Sequence, residues 1–82
     1  MRELLEYLVL AIVDNKDEVE IIEENISDTE VHFFVNVSDS DKGKVIGKQG
    51  KIARSIRILT KAIATKESKK VMVSIGEDVD VK

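Results

Sequence analysis

The stretch Val45-Ile46-Gly47-Lys48-Gln49-Gly50-Lys51-Ile52-Ala53-Arg54-Ser55-Ile56-Arg57 decides how the rest of the chain is read. Two glycines three apart, Gly47 and Gly50, let a turn take positive φ and bring its main chain against another backbone with no Cβ in the way. An apolar helix end (Val45, Ile46) precedes the turn and an amphipathic helix start (Ile52, Ala53, Ile56) follows it. Lys48 puts a charge on the tip, and amides at the start of the second helix can point at an anion, which the helix dipole favours. A glycine pair between helices is by itself as often simple chain reversal. Here it sits among six basic residues and no acid between Lys42 and Arg57, which makes a phosphate-facing loop the stronger reading.

Working outward, Ser38 or Asp39 can cap a short helix near residues 40–46, whose first amides need such an acceptor. After the glycines, Ile52, Ile56, Leu59 and Ile63 form the expected buried stripe of a longer helix, with Arg54, Arg57 and Lys61 turned elsewhere. Upstream, Val31, Phe33, Val35 and Val37 alternate with His32, Phe34 and Asn36 as a strand. Residues 18–26 alternate less cleanly, Ile21-Ile22 breaking the phase as a bulge would. The connecting Ser27-Asp28-Thr29-Glu30 makes an antiparallel hairpin the economical link. Leu4, Leu5, Leu8, Val9, Ile12 and Val13 recur at helical spacing, so residues 2–14 read as an amphipathic helix that ends at Asp14-Asn15-Lys16-Asp17. Val71, Val73 and Ile75 make a last strand, closed by Gly76. The order α-β-β-α-α-β implies an α+β fold of two layers: a three-stranded mixed sheet burying Val31, Phe33, Val35, Val37, Val71, Val73 and Ile75 under helices on one face. Periodicity does not say which strand the last one joins.

The chain has 82 residues, no cysteine, no proline and three aromatic side chains, Tyr7, Phe33 and Phe34, the content of one small domain spanning residues 1–82. A domain of this size buries only about 60% of its unfolded surface, so modest stability is expected, without disulfides to add to it. The longest apolar run, Leu8 to Val13, falls far short of the ~18–20 residues that span a bilayer, and its acidic flanks do not resemble a signal peptide. No membrane association and a cytoplasmic location are the expectation. The net charge of −3 conceals blocks of opposite sign: −10 over residues 1–41, +9 over 42–70 and −2 over 71–82. A polyanion responds to the local field within a Debye length of about 8–10 Å, so the middle block is the candidate binding surface. The alternative is that the two halves simply attract each other.

The segment VIGKQGKIARSIR resembles the signature of the KH domain, a single-stranded nucleic-acid binding fold, and the resemblance covers nearly the whole chain. A helix and a strand precede the β-α-α-β core, as in the prokaryotic type II KH arrangement. The opening helix, the DNKDEVE turn and the size are similar to the small bacterial single-KH RNA-binding proteins of the KhpA family. The resemblance implies a groove that holds about four nucleotides of single-stranded RNA. In it Gly47, Lys48, Gln49 and Gly50 clamp the backbone and Gly43, Ile46, Ile52 or Ala53 offer an apolar platform. Lys44, Lys51, Arg54 and Arg57 add phosphate or base-edge contacts. It also implies self-association as a homodimer, pairing with a larger KH-containing protein of the KhpB (Jag) type, and work as an RNA chaperone or post-transcriptional regulator. Two departures stand out: Lys42 takes a place expected to be apolar, and Ser38-Asp39-Ser40 lacks the usual proline before the short helix. Single-stranded DNA differs only through the missing 2′-OH and stays open.

No aromatic follows Phe34, so the basic half lacks stacking platforms worth about 1–3 kcal/mol per base, and binding should be weak and backbone-dominated. Other chemistries find little support. Gly43 to Gln49 superficially resembles a phosphate-binding nucleotide loop, but the glycine spacing is one short and Gln49 stands where Ser or Thr would hold magnesium. His32 has neither a cysteine nor a second histidine to complete a metal site. The acids of residues 14–30 read as a solvated face, and Ser55 and Ser68 have no partner base. Neither enzymatic activity nor a cofactor is expected. The competing reading is a protein-interaction domain without RNA binding of its own, using the basic block, the sheet face that carries Phe34 and Met72, or an exposed part of the first helix.

Overall fold

The computed structural model describes residues 1–75, and the expected strand stop at Gly76 and the acidic tail lie outside them. Eight residues of the short central helix and sixteen of the long one flank the glycine turn: α2 is Asp39–Ile46 and α3 is Lys51–Lys66. Before them come α1 (Arg2–Leu10), β1 (Glu20–Asn25) and β2 (Glu30–Asn36), and after them β3 (Lys70–Ile75). β2 is the central strand, antiparallel to β1 and parallel to β3, which settles the pairing that periodicity left open.

The register places Ile21, Val35 and Ile75 in one row and Glu23, Phe33 and Val73 in the next. The face that carries these rows is the core side, where Phe33, Val35, Val73 and Ile75 are buried together with Leu5 and Val9 of α1, Val45 of α2 and Ala53, Ile56 and Ala64 of α3. None of the described elements covers the opposite face, where Ile22 and Met72 are exposed and the His32 ring is stacked on Phe34 at 4.1 Å. Both sheet edges carry an arginine on a main-chain carbonyl. Arg2 donates to Ile21 O on β1 at 2.7 Å, and Arg57 Nε to Val73 O on β3 at 2.9 Å, devices that discourage edge-to-edge pairing.

Several expectations need correction. No bulge interrupts β1, whose residues pair one to one with β2. Ile21 faces the core and Ile22 simply faces the open side, so the apparent break in phase is one apolar residue on each face. The first helix stops at Leu10 rather than residue 14. Its last turn tightens, with the Ile12 amide donating to Val9 O, and this swings Val13 into the core. Ser38 holds the first cap position of α2, but its hydroxyl donates to the Asp41 carboxylate and accepts from the Asn15 side chain instead of from a main-chain amide of the helix. On α3 the buried stripe is Ala53, Ile56, Thr60 and Ala64, whereas Ile52, Ile58 and Leu59 are 37%, 61% and 43% exposed. Thr60 can sit inside because its hydroxyl is satisfied by its own helix, at Ile56 O and Arg57 O. α3 ends in a Schellman turn, with the amides of Lys69 and Ser68 on Ala64 O and Thr65 O and with Ser68 at φ 60 where glycine is usual.

Candidate nucleic-acid interface

The glycines do what the sequence asks of them. Gly47 ends α2 at φ 78, ψ 173, and Gly50 starts α3 at φ 75, ψ 16, with Gln49 between them also left-handed at φ 57. A Cβ on Gly47 would lie 2.7 Å from Ile52 Cγ1 and 2.9 Å from the Ile52 amide nitrogen, so this glycine is required by close packing as well as by φ. Around Gly50 there is open space, and only its conformation favours glycine. The Gly47 amide donates to Gly43 O at 2.9 Å, the Gly50 amide to Gly47 O at 3.1 Å and the Lys51 amide to Lys48 O. Among the described residues the amides of Lys48 and Gln49 find no such acceptor, and both residues are exposed at the tip. Two amide donors and an ammonium group are therefore available at an exposed bend.

The basic residues around this bend differ in what they are free to do. Lys51 and Arg54 are exposed on the first turn of α3, and Arg54 reaches back to Gln49 O at 3.4 Å, bracing the loop. Arg57, half-buried, is engaged with Val73 O, so it lines the β3 edge and does not project into solvent. Lys44 is paired with Asp14, a hydrogen bond that holds its ammonium above the usual lysine range. That pairing cancels much of its field toward an incoming phosphate.

Of the four expected platform residues, Ala53 is buried in the core and unavailable as a contact surface. Gly43 is exposed with nothing within 4 Å of a would-be Cβ, Ile46 is half-buried and Ile52 is partly exposed, so an apolar strip beside the loop comes from these three.

Asp41 was not singled out in the sequence. It lies in α2, only 1% exposed, and its carboxylate accepts from the Asn15 amide at 2.9 Å, the Asp14 amide at 3.1 Å, Asn15 Nδ2 at 3.2 Å and Ser38 Oγ at 3.0 Å. The Asn15 amide, then those of Asp14 and the two side chains, hold its carboxyl below the usual aspartate value of 3.8 against the opposing effect of burial. This ties the α1–β1 connection to α2 and so fixes the helix that presents the loop. The only hint in the sequence is Ser38 three residues ahead of an aspartate on a short helix. Its partners at residues 14 and 15 are brought up by the fold.

Among the described residues no group of three or more His, Cys, Asp or Glu side chains could hold a metal ion, and no helix is long and apolar enough to cross a membrane. The profile of the KhpA/KhpB KH domain matches residues 2–75. The protein named RNA-binding protein KhpA in Clostridium perfringens is 44% identical over 75 residues, covering 92% of this chain and 99% of that one. Its namesake in Caldanaerobacter subterraneus subsp. tengcongensis is 47% identical over the same length, and that of Listeria monocytogenes is 42% identical over 77 residues, covering 94% of this chain and all of its own. These relatives are named for binding RNA, not for a reaction. No solved structure gives a significant match.

Proposed function

The chain belongs to the KhpA/KhpB KH-domain family and has its type II α+β fold, and from that premise we propose that it binds single-stranded RNA through the backbone, with low sequence specificity, at the Gly47–Gly50 loop. One observation carries the reading: the exposed Lys48-Gln49 tip has two amides without an acceptor among the described residues, flanked by exposed Lys51 and Arg54. Amides fixed in this way meet phosphate oxygens at little further entropic expense, while Lys48, Lys51 and Arg54 supply charge. No aromatic lies on this surface, so contacts are to phosphate and sugar, with Gly43, Ile46 and Ile52 beneath the bases. Such binding suits a cytoplasmic RNA chaperone or post-transcriptional regulator, which must hold many RNAs briefly.

Self-association, or docking onto a larger KH-containing partner of the KhpB (Jag) type, is part of the same reading. Ile58 and Leu59 on α3 and Tyr7 on α1, 72% exposed, favour a covered helical surface in an assembly. The test is fluorescence anisotropy with a short labelled single-stranded RNA, comparing the natural chain with the double variant Lys48→Asp/Gln49→Asp. Binding is abolished while far-UV circular dichroism stays the same. Undiminished binding by a folded double variant overturns the loop assignment and leaves a protein-docking domain as the better reading.

A further inference from the structure

A sizeable cleft lies far from the glycine loop. It holds about 380 Å³ between the start of α1, the β1–β2 hairpin and the end of α3, whereas the cavity at the β3 edge beside Arg57 and Lys61 holds about 150 Å³. From Lys51 to Ala64 along α3 is about 20 Å, so the two ends of the molecule are well separated. The floor of the larger cleft is apolar: half-buried Val31 and Met1 line it over Phe33 and Val71, which are buried beneath them. Its walls are acidic. Glu3, Glu23, Asp28, Glu30 and Glu67 line it against Arg2, Lys69 and the Met1 amino group, a balance of −2 at the end opposite the basic loop. Arg2 is already engaged, by Glu23 at 3.7 Å, Glu6 at 3.8 Å and Ile21 O. Glu3, Asp28 and Glu67 enter none of the ion pairs of the described residues.

We propose that this cleft is a second binding surface, which takes a basic segment of a partner protein, an apolar side chain against Val31 and Met1 with arginine or lysine on either side. The volume lies within the ~300–1,000 Å³ of ligand-binding clefts. An apolar floor under uncompensated carboxylates selects a ligand that is apolar in the middle and cationic at its flanks. RNA is disfavoured because its phosphates meet these acids, and a plain polyamine gains nothing from the floor. The chain then joins RNA at one end to a protein at the other, and the cleft stands whether or not the loop reading holds.

The experiment titrates the full isotope-labelled chain with a short synthetic peptide in which arginines flank a leucine. Amide shifts move at Asp28, Val31, Ala64, Glu67 and Val71 and stay fixed from Lys48 to Arg54. Neutralising the walls with Glu3→Gln/Asp28→Asn/Glu67→Gln weakens the peptide roughly tenfold, the scale of three partly exposed charge pairs together. Neutralising Asp17, Glu18 and Glu20, which do not line the cleft, changes little. Replacing the peptide's leucine by glycine weakens binding on the unaltered chain, an arm that does not depend on how the variants fold. Shifts centred elsewhere, equal loss in both triple variants, indifference to the leucine, or RNA moving the cleft resonances each overturns the proposal. So does concentration-dependent self-association that moves the same cleft amides, which makes a second copy the occupant.

Discussion

Replacing each of three glycines by alanine gives three different outcomes from one chemical change. At Gly47 the new methyl carbon meets Ile52 Cγ1 at 2.7 Å and the Ile52 main chain at 2.9 Å, and the backbone at φ 78, ψ 173 is one that only glycine adopts readily. Such a conformation alone costs about 1–3 kcal/mol for other residues, and the clash adds to it because the Ile52 nitrogen belongs to α3 and cannot move aside. With about 4–8 °C per kcal/mol for a domain of this size, Gly47→Ala lowers Tm by roughly 10–20 °C. At Gly50 there is space, so only the left-handed conformation matters. A penalty of about 1–2 kcal/mol, offset in part by the stiffer unfolded chain, leaves a net loss of about 0.5–1 kcal/mol. Gly43 lies inside α2 with nothing within 4 Å, and alanine there stabilises by about 0.5–1 kcal/mol through helix propensity. Thermal unfolding by circular dichroism orders Gly43→Ala above the natural chain, then Gly50→Ala, then Gly47→Ala. If Gly47→Ala unfolds no earlier than Gly50→Ala, the packing argument at Ile52 is wrong. If RNA follows the path proposed above, the same Gly43→Ala variant binds it more weakly despite its higher Tm, because the added methyl group stands on that path.

The Asp41 carboxyl is held below its ordinary range, so its contribution to stability is complete above about pH 4 and is lost as the pH falls below that value. Asp41→Asn is less stable than the natural chain at neutral pH, and melting curves on acidification show the gap closing below about pH 4. Asp14→Asn frees Lys44 from its partner. RNA binding then tightens, and the salt slope of log K steepens from near −2, for about three phosphates, by roughly 0.7, measured by anisotropy in a salt series. Ser68→Gly relieves the left-handed serine in the α3 cap and raises stability by about 0.5–1 kcal/mol in denaturant titrations.

Much of the fold was legible because alternation and helical spacing report burial directly. Val31, Phe33, Val35, Val71 and Val73 identified the covered sheet face, and the four-residue link after β1 identified the hairpin. The α3 stripe misled because Ala53, Thr60 and Ala64 are small or polar by composition and yet are the residues buried, while the larger Ile52, Ile58 and Leu59 lie toward solvent. Strand order escaped because β3 reads the same beside either neighbour. At the site, the loop was legible since its glycines and lysines are contiguous and their chemistry is local. The Asp41 staple, the Asp14–Lys44 pair and the Arg57 bond to β3 join residues 16 to 30 positions apart, and no local pattern announces them.

The central claim is that an exposed glycine-flanked bend, whose Lys48 and Gln49 amides lack an acceptor among the described residues, receives an RNA backbone. Its most direct measurement is an amide-resolved titration of the full chain with a short single-stranded RNA. Shifts concentrated from Lys44 to Arg57, largest at Lys48 and Gln49, are the expected result. No shift at those two amides at saturating RNA, or shifts gathered on the open sheet face around Phe34 and Met72, would contradict it.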